Sequence, residues 1–205
     1  MRVPTLWLIA ALCLVAVAGA DAKPAPAPVV RETDVALKGP SFPVGNLAFT
    51  IPAPWQIEPV DGPARGGQWR VPPLHGAGDA GEVVAFFFGP GLGGSPEKNI
   101  EGWIGTMVSP GGHPADKQWQ YTTGGFKVSQ VVIFGTYNQV VASPGIPPMA
   151  RPSYGLFGTV IENPAGNIYW RFTGPEALVT ATLPLFEKMI NSVKVQATSE
   201  DSNPK

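Results

Sequence analysis

The 205-residue chain has little of three things that commonly carry chemistry. It has one cysteine, two histidines and only 14% charged residues. A single cysteine excludes an intrachain disulfide framework and a cysteine-based zinc site. With 14 Lys+Arg against 15 Asp+Glu the net charge is −1. That excludes the strongly basic surface by which a nucleic-acid binder neutralises phosphates. What the chain has in excess is 24 Pro and 25 Gly, about a quarter of its length. Composition of that kind without order marks a disordered segment, but 44% hydrophobic and 10% aromatic residues contradict disorder here. The balance predicts one turn-rich, strand-rich globular domain with loose ends.

The N-terminus reads as an address. Met1-Arg2 supplies a positive start, Leu6 to Val17 is apolar, and Ala18-Gly19-Ala20 ends the run in small residues. This is the layout of a secretory signal peptide, cleaved near Ala20 or Ala22, and Leu6 to Ala20 is too short for a bilayer span. Cys13 is preceded by Leu12, unsuited to a lipoprotein signal. The expectation is a secreted or periplasmic protein with no cysteine and no membrane span after cleavage. Residues 21–40 alternate Pro with Ala around Lys23-Pro24-Ala25-Pro26, a composition that favours extended polyproline II and leaves little to bury. Signal peptide 1–20, linker 21–40, folded domain 41–196 and polar tail 197–205 are the expected divisions.

Strand patterns dominate the domain. Leu47, Phe49 and Ile51 alternate with Ala48 and Thr50, and Trp69 and Val71 with Gln68 and Arg70. Val83 to Phe88 is apolar at every position, as in a strand covered on both faces. Phe126 and Val128 begin another strand that continues through Phe134. Tyr154–Glu162 and Asn167–Phe172 read as a hairpin closed by Asn163-Pro164-Ala165-Gly166. Two helices are expected. One opens at Ser95 as N-cap with Pro96 and Glu97 behind it, and carries Ile100, Trp103, Ile104 and Met107 on one stripe. The other follows Gly174-Pro175-Glu176, with Leu178, Leu185, Phe186, Met189 and Ile190 on its apolar side and Pro184 set to kink or split it. Helices beside a largely antiparallel sheet make the class α+β.

The order of elements resembles a known superfamily. An early strand ends in Pro52-Ala53-Pro54-Trp55. The chain closes with a hairpin, Thr173-Gly174-Pro175, a helix ending in Phe186 to Ser192, and a terminal Val193-Lys194-Val195. That is similar to the superfamily of the photosystem II extrinsic protein PsbP and the Ran-binding nuclear import factor. The resemblance implies an αβα sandwich, an antiparallel sheet sandwiched by helices. A narrower run, Phe87-Phe88-Gly89-Pro90-Gly91-Leu92-Gly93-Gly94-Ser95 followed by Asn99-Ile100-Glu101-Gly102-Trp103, resembles an uncharacterised family of exported bacterial proteins. Gly78-Asp79-Ala80-Gly81 and Thr173 to Glu176 fit it too. These resemblances imply fold and export, with no activity to carry over.

Gly89-Pro90-Gly91-Leu92-Gly93-Gly94 matches the dinucleotide-binding spacing between a strand and a helix. Pro96 removes a backbone donor at that helix start, and Glu97 puts negative charge where a phosphate would sit. The run is therefore read as a tight turn, with Gly91 or Gly93 at positive φ, and as a close-approach surface for a partner; no cofactor is expected. His75 and His113 lie in Gly/Pro-rich stretches, and a metal would need both together with Asp79 or Asp116. Nothing in the spacing joins them, so no metal is expected. Carboxylate pairs Asp79/Glu82 and Glu97/Glu101 read as solvated faces. Trp119 and Tyr121, in the polar stretch Asp116-Lys117-Gln118-Trp119-Gln120-Tyr121-Thr122, are the aromatics expected at the surface and the candidates for binding a partner. Asn138 to Ser153 is a 16-residue Pro-rich connection, read as a packed loop, an interaction surface or a disordered segment.

The expected function is that of a non-enzymatic accessory or binding module in the cell envelope, meeting an envelope protein or a small ligand. The alternative is a hydrolase or lyase using dispersed Asp, Glu and His residues in a cleft. Clustering of His75 and His113 with Asp79 or Asp116 would favour it.

Overall fold

The computed structural model describes residues 37–60, 62–109, 117–139 and 147–196. All of them belong to the compact unit Arg31–Lys205. The signal segment, most of the Pro/Ala linker, the polar tail, His113 and Asp116 lie outside the described residues, as do residues 140–146 of the Pro-rich connection.

The described residues are mostly antiparallel sheet with two α-helices. The strands are β1 (Ser41–Val44), β2 (Leu47–Thr50), β3 (Gln56–Ile57), β4 (Arg65–Val71) and β5 (Gly81–Phe87). After α1 (Pro96–Gly105) come β6 (Met107–Val108), β7 (Lys117–Thr123), β8 (Phe126–Gln139), β9 (Met149–Ile161) and β10 (Ile168–Pro175). The chain then forms α2 (Glu176–Asn191) and β11 (Lys194–Val195). The large sheet runs β3-β4-β5-β10-β9-β8-β6, with β7 also on β8. A three-stranded sheet, β1-β2-β11, is hydrogen-bonded separately and packs against it through Leu47 and Phe49.

Alternation along the strands divides the interior in two. Val128 and Val132 of β8, Phe157 of β9 and Trp170 and Phe172 of β10 face α2 and β2, where Phe186, Met189, Ile190, Leu47 and Phe49 meet them. Val131, Ile133 and Leu156 have the opposite parity and meet Ile100 of α1 and Met107. The two helices thus rest on opposite faces. Phe186 is fully buried among Trp55, Phe157, Trp170 and Phe172, with ring centroids 4.9 to 6.5 Å away.

Several sequence expectations change. The α1 stripe stops at Gly105: Met107 begins β6, although it still packs with Ile100. Pro184 lies inside one helix rather than splitting it, because Leu185, Phe186, Met189 and Ile190 beyond it are buried on the sheet. The Asn138–Ser153 connection is shorter than its proline content suggests. Past an irregularity at Gly135/Tyr137, β8 and β9 stay paired through Tyr137↔Arg151, Asn138↔Ala150 and Gln139↔Met149. The polar stretch 117–123 is strand β7, paired with β8 along its whole length.

Candidate functional site

Ser95 is the N-cap of α1, accepting a hydrogen bond from the Lys98 backbone N–H at 3.3 Å, as its position before Pro96 predicts. The Gly-rich turn before it places both Gly91 (φ 69°) and Gly93 (φ 86°) in the left-handed region. Gly91 is exposed. Gly93 has a second reason to lack a side chain: a Cβ there would lie 2.7 Å from the Phe88 and Tyr169 rings. Asn99 Nδ2 donates to Gly93 O at 2.8 Å, and the Tyr169 hydroxyl donates to Gly94 O at 2.8 Å. Side chains of the domain itself thus occupy the turn's carbonyls, and the turn presents Leu92, 61% exposed, and Phe88, 41% exposed, to solvent.

Trp119 and Tyr121 are half-buried rather than exposed. In β7 they have the parity of the α2 face: Trp119 stacks on Phe157 with centroids 5.7 Å apart, and Lys117 Nζ sits 4.8 Å from its ring centroid. Burial, then the nearby Glu187 carboxylate, push the Tyr121 phenol up to about 12. Burial likewise raises the Glu187 carboxyl against the lowering influence of Lys117. The strand's polar residues hid this placement, since only every second one faces the core.

His75, exposed with φ 53°, lines an apolar hollow of about 240 Å³ beside Trp55, Pro73 and Leu178. Asp79 lines a different groove. Among the described residues, no group of three or more His, Cys, Asp or Glu side chains is placed to hold a metal.

The structure gathers a set of residues that sequence reading did not assemble. On the α1 face the helix packs on β8 and β9, and side chains of β4, β5 and β10 line the surface beside it. One groove of about 290 Å³ there is lined by Arg65, Glu82, Phe86, Thr106, Arg171 and its neighbours Tyr137 and Gln139. A second, about 270 Å³, shares Glu82, Tyr137 and Gln139 and adds Asp79, Arg151 and Tyr154. The register explains the convergence: Arg65 and Tyr169 flank Phe86, while Arg70 and Thr173 flank Glu82.

The polar groups form two networks, one across β4, β5 and β10 and one across β8 and β9. Arg65 donates to Gln68, whose Nε2 donates to Glu82 at 3.1 Å and Glu58 at 3.2 Å. Arg171 Nη2 lies 3.5 Å from Glu82. The Arg65 and Arg171 guanidiniums sit 5.9 and 5.8 Å from the centroid of the same Phe86 ring. Arg171 Nε is buried and makes no hydrogen bond among the described residues. In the second groove the Tyr154 hydroxyl donates to Asp79 at 3.2 Å, Arg151 lies 3.7 Å from Asp79, and Arg151 Nε donates to Gln139 at 3.3 Å. Burial, then the Asp79 charge, raise the Tyr154 phenol, so it stays a donor. Asp79 and Glu82 are thus members of one charged face rather than merely solvated. The signal available in the sequence was Arg171, a lone charge in the apolar run Ile168-Tyr169-Trp170-Arg171-Phe172.

No family model matches the chain. No curated protein matches it either. Among solved structures, a Pseudomonas aeruginosa protein of unknown function aligns at 13% identity and a TM-score of 0.44, covering 78% of this chain and 98% of that one. The cyanobacterial PsbP of Synechocystis aligns at 9% identity and a TM-score of 0.47, covering 74% of this chain and 88% of that one.

Proposed function

We propose that this protein is an exported, non-enzymatic binding module of the cell envelope, built on a PsbP-like αβα architecture, and that it takes its ligand or partner in the joined grooves of the α1 face. Support for export is the N-terminal charge, apolar run and Ala18-Gly19-Ala20. Support for the architecture is the order of elements, with α1 and α2 on opposite faces of the sheet.

The observation that carries the binding reading is Arg171. Its side chain is mostly withdrawn from water, its ion pair with Glu82 is long, and its Nε–H has no acceptor among the described residues. The Nε–H lies beneath the surface; what the groove presents of Arg171 is the rest of its guanidinium, 3.5 Å from Glu82 and over the Phe86 ring beside Arg65. Phe86, Phe88 and Leu92 continue the same face as an apolar shoulder. A few convergent polar groups beside apolar surface is the pattern of a binding groove.

Affinity capture from an envelope extract tests it, comparing the mature chain with the double variant Arg65→Gln/Arg171→Gln and identifying what is retained. The expected outcome is a specific partner held by the wild type and lost by the variant at unchanged thermal stability. Equal retention by the variant would remove the groove as the site.

A further inference from the structure

A strand at the edge of a sheet leaves a row of backbone N–H and C=O groups without partners, and proteins blunt such edges by brevity, proline, bulges or an added charge. Most edges among the described residues are blunted in this way. β3, β6 and β11 have two residues each, and β1 carries Pro43. β7 is different. It runs for seven residues, Lys117–Thr123, without proline or glycine, and its register with β8 is unbroken. No other strand of the described residues pairs with it.

The turn after β7 fixes which of its groups point outward. Gly124 (φ 57°) and Gly125 (φ 86°) make a two-residue hairpin with both central residues at positive φ, the type I′ form. The flanking pair Thr123↔Phe126 exchanges both backbone hydrogen bonds, and bonded and non-bonded pairs then alternate along the ladder. Thr123, Tyr121, Trp119 and Lys117 therefore bond β8, while Thr122, Gln120 and Gln118 turn their N–H and C=O away from it. The side chains of those outward residues are exposed, and Trp119, Tyr121 and Thr123 between them are half-buried.

We propose that β7 pairs antiparallel with the β7 of a second copy of this chain, about a two-fold axis at Gln120, so that the large sheet runs through both copies. The strand is self-complementary in that register. Gln120 opposes its own counterpart, Gln118 opposes Thr122, Trp119 opposes Tyr121 and Lys117 opposes Thr123. The Gln120–Gln120 and Gln118–Thr122 pairs are the hydrogen-bonded ones, so every outward N–H and C=O finds an acceptor or donor. Lys117 is the strand's one charge and faces a threonine, so like charges do not meet. Trp119 and Tyr121 fall in the closely spaced non-hydrogen-bonded pairs, where aromatic side chains pack across strands. Both already pack on the α2-side core, and in the dimer each covers the outer edge of the other. A foreign strand would have to match this pattern, whereas a second copy does so by symmetry. The contact is isologous and closes at a dimer. It does not involve the groove lined by Arg65, Phe86 and Arg171, and is independent of the reading given to that groove.

The experiment uses the mature chain. Light scattering after gel filtration over a dilution series reads the oligomeric state, and amide hydrogen exchange followed by NMR reads the edge. The wild type should be a dimer that dissociates on dilution, with the Gln118, Gln120 and Thr122 amides slowed in the dimer. Gln120→Lys and Gln120→Glu each place like charges on the axis and should weaken association by about tenfold or more, and an equal mixture of the two should restore it. A wild type that is monomeric at every concentration overturns the proposal. So does a dimer in which those amides exchange as fast as in the monomer, or one that Gln120→Lys leaves intact, since its contact then lies elsewhere. A mixture that associates no better than either variant alone removes the two-fold register and the proposal with it. A monomer in which another protein protects those amides assigns the edge to a foreign strand and likewise overturns it. Should either variant fail to fold, the mass and amide exchange of the wild type still decide.

Discussion

Glu187 shows how a single side chain can report on the α2 face. Burial raises its carboxyl above the unfolded value, so between the two values the folded state holds a proton that the unfolded state has lost. Stability from this residue is therefore complete below the unfolded value and declines as pH rises through the folded one. Glu187→Gln should raise the thermal midpoint at pH 7 relative to wild type, and the gain should vanish below about pH 4, where an unfolded glutamate is itself protonated. A pH series of melting curves checks this. Ser95 offers a second test at this scale. Its hydroxyl satisfies an otherwise unpaired N–H of the first α1 turn, so Ser95→Ala should cost about 0.5–2 kcal/mol in chemical denaturation. The sequence made Ser95 readable because the Ser-Pro-Glu order is itself a local signal. It did not make Trp119 readable, because half-burial depends on Phe157, which arrives from a strand 38 residues later in the chain.

At the scale of elements, each helix has one contact that fixes it. On α2 it is Phe186, ringed by four aromatic side chains; Phe186→Ala should cost about 3–5 kcal/mol, measured as a shift in denaturation midpoint. On α1 it is Trp103 lying on Gly158 of β9. A Cβ there would fall 2.1 Å from the indole Cε3, so Gly158→Ala must lift the helix and should cost about 1–3 kcal/mol, with a change in tryptophan fluorescence. Strands β2, β4, β5, β8, β9 and β10 were legible from alternation or from continuous apolar runs, the start of α1 from its Ser95 cap and Pro96, and the start of α2 from Pro175. The extents of β8 and β9 were not. The Gly135/Tyr137 irregularity leaves Pro152 and Ser153 (φ 56°) unpaired opposite Thr136, and pairing resumes at Tyr137↔Arg151, so the proline is accommodated at a bulge rather than ending the strand. β7 escaped notice because its inward residues are amphipathic Trp119 and Tyr121 between polar neighbours, which read equally well as surface.

For the whole molecule, the chain described here places a covered, aromatic core beneath α2 and leaves a charged, aromatic-edged face beside the shorter α1. That asymmetry could not be read from sequence, since it depends on how far a ten-residue helix reaches across a seven-stranded path. The individual residues were visible; their convergence from β4, β5, β8, β9 and β10 was not. If export is correct, N-terminal sequencing of secreted material should find a mature chain beginning at Asp21 or Lys23, and an intact Met1 on membrane-embedded protein would refute it. The central claim is that the α1 face is where this protein meets its partner. Site-specific photo-crosslinking in living cells tests it most directly, with the reactive side chain placed at Phe88 or Gln139 on that face, or at Ile57 or Val195, both 63% exposed and away from it. Partner adducts from Phe88 and Gln139, with none from Ile57 and Val195, are the predicted result; adducts from Ile57 or Val195 with none from Phe88 and Gln139 would contradict it.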